Sequence, residues 1–179
     1  MFVLTERLTL RPGWAEDAPA LAHAIAHERV VAMLARAPWP YTIDDARGVL
    51  SLPEVIDEPR LLIVDRRAEG APVIGGIGVH RDEHGARELG YWLTPAAWGR
   101  GLMREAASAF VASLSASFGI ESLVSGHYVG NAASGRVLER IGFRPTGEIR
   151  RRYSVARGQE VDCLMHVIDL RQQPRALAA

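Results

Sequence analysis

The segment Glu88-Leu89-Gly90-Tyr91-Trp92-Leu93-Thr94-Pro95-Ala96-Ala97-Trp98-Gly99-Arg100-Gly101-Leu102-Met103-Arg104-Glu105-Ala106 decides the architecture. A strand-like run stops at a proline, a loop with two glycines follows, and a helical pattern starts directly from that loop. Leu102, Met103, Ala106, Phe110, Val111 and Leu114 recur at helical spacing until Gly119, so one face of this helix must lie on a sheet or another helix. The helix start offers backbone N–H groups without internal partners, and Gly99 and Gly101 put no side chain in the way of an anion. Arg100 and Arg104, four residues apart, can lean toward the same charge. A phosphate site and a plain tight turn both fit this spacing.

Toward the N-terminus, Thr5–Arg11 alternates Leu8 and Leu10 with polar partners and reads as a strand ended by Pro12. An alanine-rich helix is expected from Asp17 to about Leu34. A second starts at Thr42, where Asp45 three residues on completes a capping box. Strands are expected over 60–67, 72–81 and 86–93, with turns at 68–71 and 82–85. Beyond the central helix come a strand at 122–128, a helix at 132–141 stopped by Gly142-Phe143, and two strands at 144–153 and 160–169. Strands in series followed by β-α-β-α predict an α+β protein with a mixed sheet. One domain is expected over 4–170, with 171–179 as a C-terminal tail.

Composition narrows the function. The 179 residues include 21 basic and 21 acidic side chains, so there is no basic excess for a general nucleic-acid surface. Every basic residue is arginine, and Asn131 is the one asparagine, the bias of a GC-rich genome. Without lysine the chain cannot form a Walker phosphate loop. Gly76-Ile77-Gly78 runs on as strand, so it is not a dinucleotide fingerprint either. The single cysteine, Cys163, excludes a disulfide framework and fits a reducing compartment. No apolar run approaches a membrane span and no signal peptide opens the chain, so a cytoplasmic protein without membrane contact is expected. His80 and His84 straddle a turn without a third ligand, so no metal is expected. Arg150-Arg151-Arg152 reads as solvated strand charge, or as a minority view an anion patch.

Glu88–Ala106, then Asn131-Ala132-Ala133-Ser134, then Val137-Leu138-Glu139-Arg140-Ile141-Gly142-Phe143, in this order, resemble the GNAT superfamily of acetyl-CoA-dependent N-acetyltransferases. The likeness is closest to the branch that acetylates the N-termini of ribosomal proteins, and Thr5–Arg11 resembles that branch's first strand. The resemblance implies a mostly antiparallel mixed sheet flanked by helices, with acetyl-CoA as cosubstrate. It implies that Trp92, Leu93 and Thr94 pair with the pantetheine arm. Trp98, Gly99, Arg100, Gly101, Leu102 and Met103 would hold the pyrophosphate through main-chain N–H groups, Asn131 would contact the arm near the thioester, and Arg136 would serve the phosphates. Asn131 also suits a helix N-cap.

Two positions depart from the family pattern. Trp98 and Met103 replace the usual first and last residues of the loop, so side-chain contacts there do not carry over. Leu138 replaces the tyrosine that protonates the leaving thiolate in many members, which leaves Ser134 as the catalytic acid, or as a helix-start serine satisfying backbone. Glu88 matches the general base, and the Leu93 N–H is a candidate oxyanion donor. Glu88, Tyr153 and Asp162 are the acceptor-side candidates, with ordinary solvent-facing acids as the alternative. The expected reaction is direct transfer to a primary amine, with a protein N-terminus as acceptor. The rivals are a small-molecule enzyme acting on a polyamine, amino acid or drug, and a non-catalytic acyl-CoA sensor. Acids crowding the pocket, such as Asp57-Glu58 and Asp82-Glu83, would favour a polycation. A monomer or homodimer is expected.

Overall fold

The computed structural model describes residues 1–171; most of the expected tail, 172–179, lies outside the described residues. Among them the strands are β1 (Val3–Leu4), β2 (Leu8–Arg11), β3 (Arg60–Asp65), β4 (Val73–Arg81), β5 (Arg87–Leu93), β6 (Ser122–Tyr128), β7 (Arg144–Ser154) and β8 (Gln159–Asp169). The helices are α1 (Ala18–Ile25), α2 (Glu28–Val31), α3 (Ile43–Leu50), α4 (Leu102–Phe118) and α5 (Ala132–Arg140). The strands form one sheet in the order β1-β2-β3-β4-β5-β6-β8-β7. Its pairs are antiparallel except β5 with β6, which run parallel. This is the expected α+β fold, a mostly antiparallel mixed sheet flanked by helices.

The sheet separates two apolar cores. On one face α4 buries Leu102, Ala106, Phe110, Val111 and Leu114 against Leu8, Leu10, Ile63, Ile77 and Leu89 of the strands. Leu138 of α5 closes the same core. On the other face α1, α2 and α3 cover Leu62, Val64 and Val73. The α4 stripe repeats every three to four residues, and glycines with positive φ, Gly101 and Gly119, bound the helix at both ends.

Two local expectations fail at the N-terminus. The helix expected from Asp17 to Leu34 is broken: Ala26 leaves helical geometry (ψ 60°), and α2 restarts at Glu28. The break brings His27 Nε2 within 3.3 Å of Thr94 Oγ1 and Arg29 over the Trp98 ring at 4.7 Å, tertiary contacts that outweigh alanine's helix propensity. Of the strand expected at Thr5–Arg11, Leu8–Arg11 forms β2, while the residues before it make the turn of a hairpin. Thr5 N–H donates to Leu8 O, and β1 pairs back on β2. By contrast, the capping box at Thr42 is present, with Asp45 N–H donating to Thr42 Oγ1.

Phe110 is fully buried at the centre of the larger core. Phe110→Ala is expected to destabilise the fold by about 3–5 kcal/mol, measured by urea unfolding.

Candidate active site

The site begins with the hydrogen-bond parity of β5. Thr94 N–H donates to Ile74 O at 2.8 Å, and Asp82 N–H to Ala86 O at 2.9 Å, on the register that pairs Gly76 with Trp92 and Gly78 with Gly90. Antiparallel ladders alternate, so the even-numbered residues Gly90, Trp92 and Thr94 turn their backbone groups to β4. The odd-numbered residues turn theirs to β6. Yet β6 pairs with β5 only at Glu88↔Val124, and the two strands then diverge. Ser125 Oγ donates to Leu89 O and Trp98 Nε1 to Leu93 O, both at 2.8 Å. The Tyr91 N–H and C=O and the Leu93 N–H face the opening between β5 and β6, where no further register pair is formed.

The main-chain groups of the expected cofactor strand divide accordingly. Trp92 and Thr94 spend their main-chain groups inside the sheet, whereas Tyr91 and Leu93 face the opening. The Trp92 indole instead lies over Gly76, where a Cβ would come within 2.7 Å of Nε1. Gly76 is thus a packing glycine.

Beyond Thr94 a short 3-10 turn, Pro95–Ala97, leads to Gly99 and Gly101, both at φ 73°. Such φ values suit glycine and turn successive N–H groups toward one point. The first N–H of this stretch with an internal acceptor is that of Glu105, which donates to Gly101 O. Those of residues 99–104 have no protein acceptor among the described residues. Gly101 supplies no side-chain cap, so an anion is the ligand this helix end lacks.

The loop is held from outside. The Glu105 carboxylate accepts from Thr5 Oγ1, the Arg7 N–H and Arg7 Nε at 2.6–2.8 Å, while Arg7 Nη1 donates to Arg100 O. Burial alone would raise the Glu105 pKa, but these hydrogen bonds outweigh it and hold the carboxyl below its ordinary value. The Arg100 guanidinium leans on buried Asp65 at 3.3 Å, and Arg104 and Arg136 are exposed. Trp98 is 40% exposed beneath Arg29.

At the start of α5, Asn131 caps the helix: its Oδ1 accepts from the Ser134 N–H at 3.2 Å. Ser134 Oγ lies 2.9 Å from the Tyr91 hydroxyl, which itself donates to Ser134 O at 3.0 Å. Burial pushes the Tyr91 pKa up to about 12, so the phenol stays protonated. Leu138 is a core residue with no exposure.

The acceptor-side candidates divide between the two faces of the sheet. Glu88 shares the α1–α3 face with His80 of β4, Arg150 and Arg152 of β7 and Cys163 of β8. Tyr153 and Asp162 lie on the opposite face, both exposed, so the three do not form one constellation. Asp162 helps to line an open cavity of about 640 Å³ beside Val129, Gly130, Arg151, Arg157 and Glu160.

Glu88 is buried and gripped bidentately by Arg152, from Nη1 and from Nη2 at 2.9 Å. Both oxygens of the expected general base are thus engaged by one guanidinium. His80, 3.9 Å away, keeps 37% of its side chain exposed. Burial holds its imidazole below the ordinary pKa, against the pull of Glu88 and helped by Arg36 and Arg152. Burial pushes the Cys163 thiol up to about 11, so it is no nucleophile. Arg150 pairs with Asp82 and Glu148, and Arg151 with Glu160, so each arginine of the run has a carboxylate partner. No group of three metal-ligating side chains occurs among the described residues.

Residues 7–144 match the family described as the acetyltransferase (GNAT) domain. Over 174 residues the chain is 24% identical to the uncharacterized N-acetyltransferase YoaA of Bacillus subtilis (strain 168), covering 92% of this chain and 94% of that protein. The solved structure of the ribosomal-protein acetyltransferase RimL in complex with coenzyme A superposes with a TM-score of 0.79 at 18% identity. A ribosomal-protein alanine acetyltransferase from Vibrio fischeri does so with the same score and identity. Each comparison covers 97% of this chain and 100% of the other.

Two outcomes are expected. Glu88→Gln leaves Arg152 partly buried without its counter-charge and costs about 3–5 kcal/mol in urea unfolding; wild-type stability in that variant would sink the ion-pair account. Glu105→Gln is destabilising at neutral pH. Because the folded pKa of Glu105 is lowered, its contribution is complete above the unfolded value of about 4.3 and is lost as pH falls through the folded value. The difference in thermal unfolding between wild type and variant therefore shrinks in acid.

Proposed function

The chain belongs to the GNAT acetyltransferase family, as an acetyl-CoA-dependent N-acetyltransferase, and from that premise we propose that its acceptor is the N-terminal amine of a protein. The observation that carries the cofactor half of the reading is the row of acceptor-free N–H groups running from Tyr91 and Leu93 to the start of α4. Those of residues 99–103 hold the pyrophosphate, with Arg104 and Arg136 as exposed cations nearby. The Tyr91 and Leu93 N–H groups face the pantetheine arm, and one of them polarises the thioester carbonyl. Bound acetyl-CoA supplies the activated acetyl group, and transfer to an amine is direct.

The acceptor must lose a proton to become nucleophilic. With Glu88 committed to Arg152, His80 is the group on that face that receives the proton, relayed through water, and its depressed pKa leaves it free to do so at neutral pH. The pairing of the acids around the site supports a peptide over a polyamine. Asp57 pairs with Arg81 and Arg87, Glu58 with Arg81, and Asp82 with Arg150. Acids so neutralised do not attract a polycation. The likeness to ribosomal-protein acetyltransferases points the same way.

The test is thiol release from acetyl-CoA with a panel of peptides bearing free alanine or serine N-termini, polyamines and amino acids. Peptides are expected to turn over fastest. Preference for a polyamine overturns the acceptor assignment, and acetyl-CoA binding without turnover of any amine would mark a sensor.

A further inference from the structure

Three polar atoms at the start of α5 form a closed circuit whose direction follows from donor counting alone. The Ser134 carbonyl oxygen can only accept, so the Tyr91 hydroxyl, 3.0 Å away, must donate its single proton to it. The Tyr91 oxygen is then left as an acceptor, and Ser134 Oγ, at 2.9 Å, must donate to it. Both protons are used within the pair. Ser134 Oγ keeps only lone pairs to offer, and it has no other partner among the described residues. The Tyr91 ring is mostly buried against the α4–α5 core, so this arrangement is packed as well as bonded.

We infer that Tyr91 fixes the polarity of Ser134, so that Ser134 meets its ligand as a hydrogen-bond acceptor for an N–H group rather than as a proton donor to the leaving thiolate. The neighbouring cap has the complementary sense. Asn131 Oδ1 already accepts from the Ser134 N–H, and its NH₂ remains free to donate. The N-terminus of α5 therefore presents a donor and an acceptor of set direction. An amide N–H of the cofactor arm and an N–H of the attacking amine are the two sources of the group that Ser134 accepts. The thiolate proton then comes from the nitrogen itself. As the C–N bond forms and the C–S bond breaks, the amine sheds one proton and the sulfur gains one, so the exchange balances without a protein acid. This inference rests on the acyl-transfer reading of the same site.

The experiment compares Tyr91→Phe, Ser134→Ala and Ser134→Thr with wild type. Acetyl-CoA affinity is measured by calorimetry, KM and kcat by thiol release with the best peptide of the panel, and stability by thermal unfolding. In Tyr91→Phe the ring stays but Ser134 is free to turn its proton toward the ligand. The expected result is that Tyr91→Phe and Ser134→Ala weaken the same parameter, by about two- to tenfold, the worth of one neutral hydrogen bond. Acetyl-CoA affinity falls if the N–H belongs to the pantetheine arm, and the peptide KM rises if it belongs to the acceptor. Ser134→Thr restores either one. If Ser134→Ala lowers kcat while Tyr91→Phe matches or exceeds wild type, Ser134 is a proton donor and the inference is overturned. If both variants only lose stability, the pair is structural and the inference is equally overturned. Failure of wild type to bind acetyl-CoA would instead strike the acyl-transfer reading itself, and the inference with it.

Discussion

A single register pair, Glu88 with Val124, makes up the ladder between the two halves of the sheet. On the far side of β5 the ladder to β4 is complete, so alternate residues have no choice of direction. On the near side the parallel partner departs after one pair. The consequence is a row of peptide groups that point into the gap with nothing of the protein's own to bond. Unpaired backbone is costly wherever water is excluded, so a strand edge of this kind is stable only beside solvent or a ligand. The loop after Pro95 extends the same condition into the first turn of α4. Divergence of two strands and the capless start of a helix thus create one continuous donor surface.

Charge is arranged around that surface by pairing. In a chain without lysine, every cation carries a planar fork of donors, and most of those near the site are already held. Arg152 holds Glu88, Arg150 holds Asp82, and Arg7 holds both Glu105 and the Arg100 carbonyl. The acids around that surface are consequently neutralised despite the density of ionisable groups there.

Much of the fold was legible in the residues. The α4 stripe, its glycine boundaries, the Thr42–Asp45 box and the boundaries of β6 follow from periodicity and end chemistry that act locally. What was not legible depends on which side of a strand a residue occupies and on what lies across from it. The main-chain groups of Trp92 and Thr94 turn to β4 and those of Tyr91 and Leu93 to the opening, because parity is set by β4, a partner that β5's own sequence does not specify. Glu88 was recognisable as an acid in the right strand. That its oxygens are engaged follows from Arg152, 64 residues later. Tyr153 and Asp162 lie one residue out of phase with the Glu88 face, and a one-residue step reverses side in a strand. The break between α1 and α2 had no local signal; Thr94 and Trp98 impose it.

During synthesis, the grip of Thr5 and Arg7 on Glu105 cannot close until residue 105 has left the ribosome, 98 residues after Arg7. Until then the first hairpin has no helix to pack on, because α4 is what covers β1 and β2. Contacts of such separation pay their loop-closure entropy before they return any stability, and they belong to slow folding steps. The anion loop therefore takes its final shape late. A nascent chain can have its central strands in place while the uncapped end of this helix is still unformed.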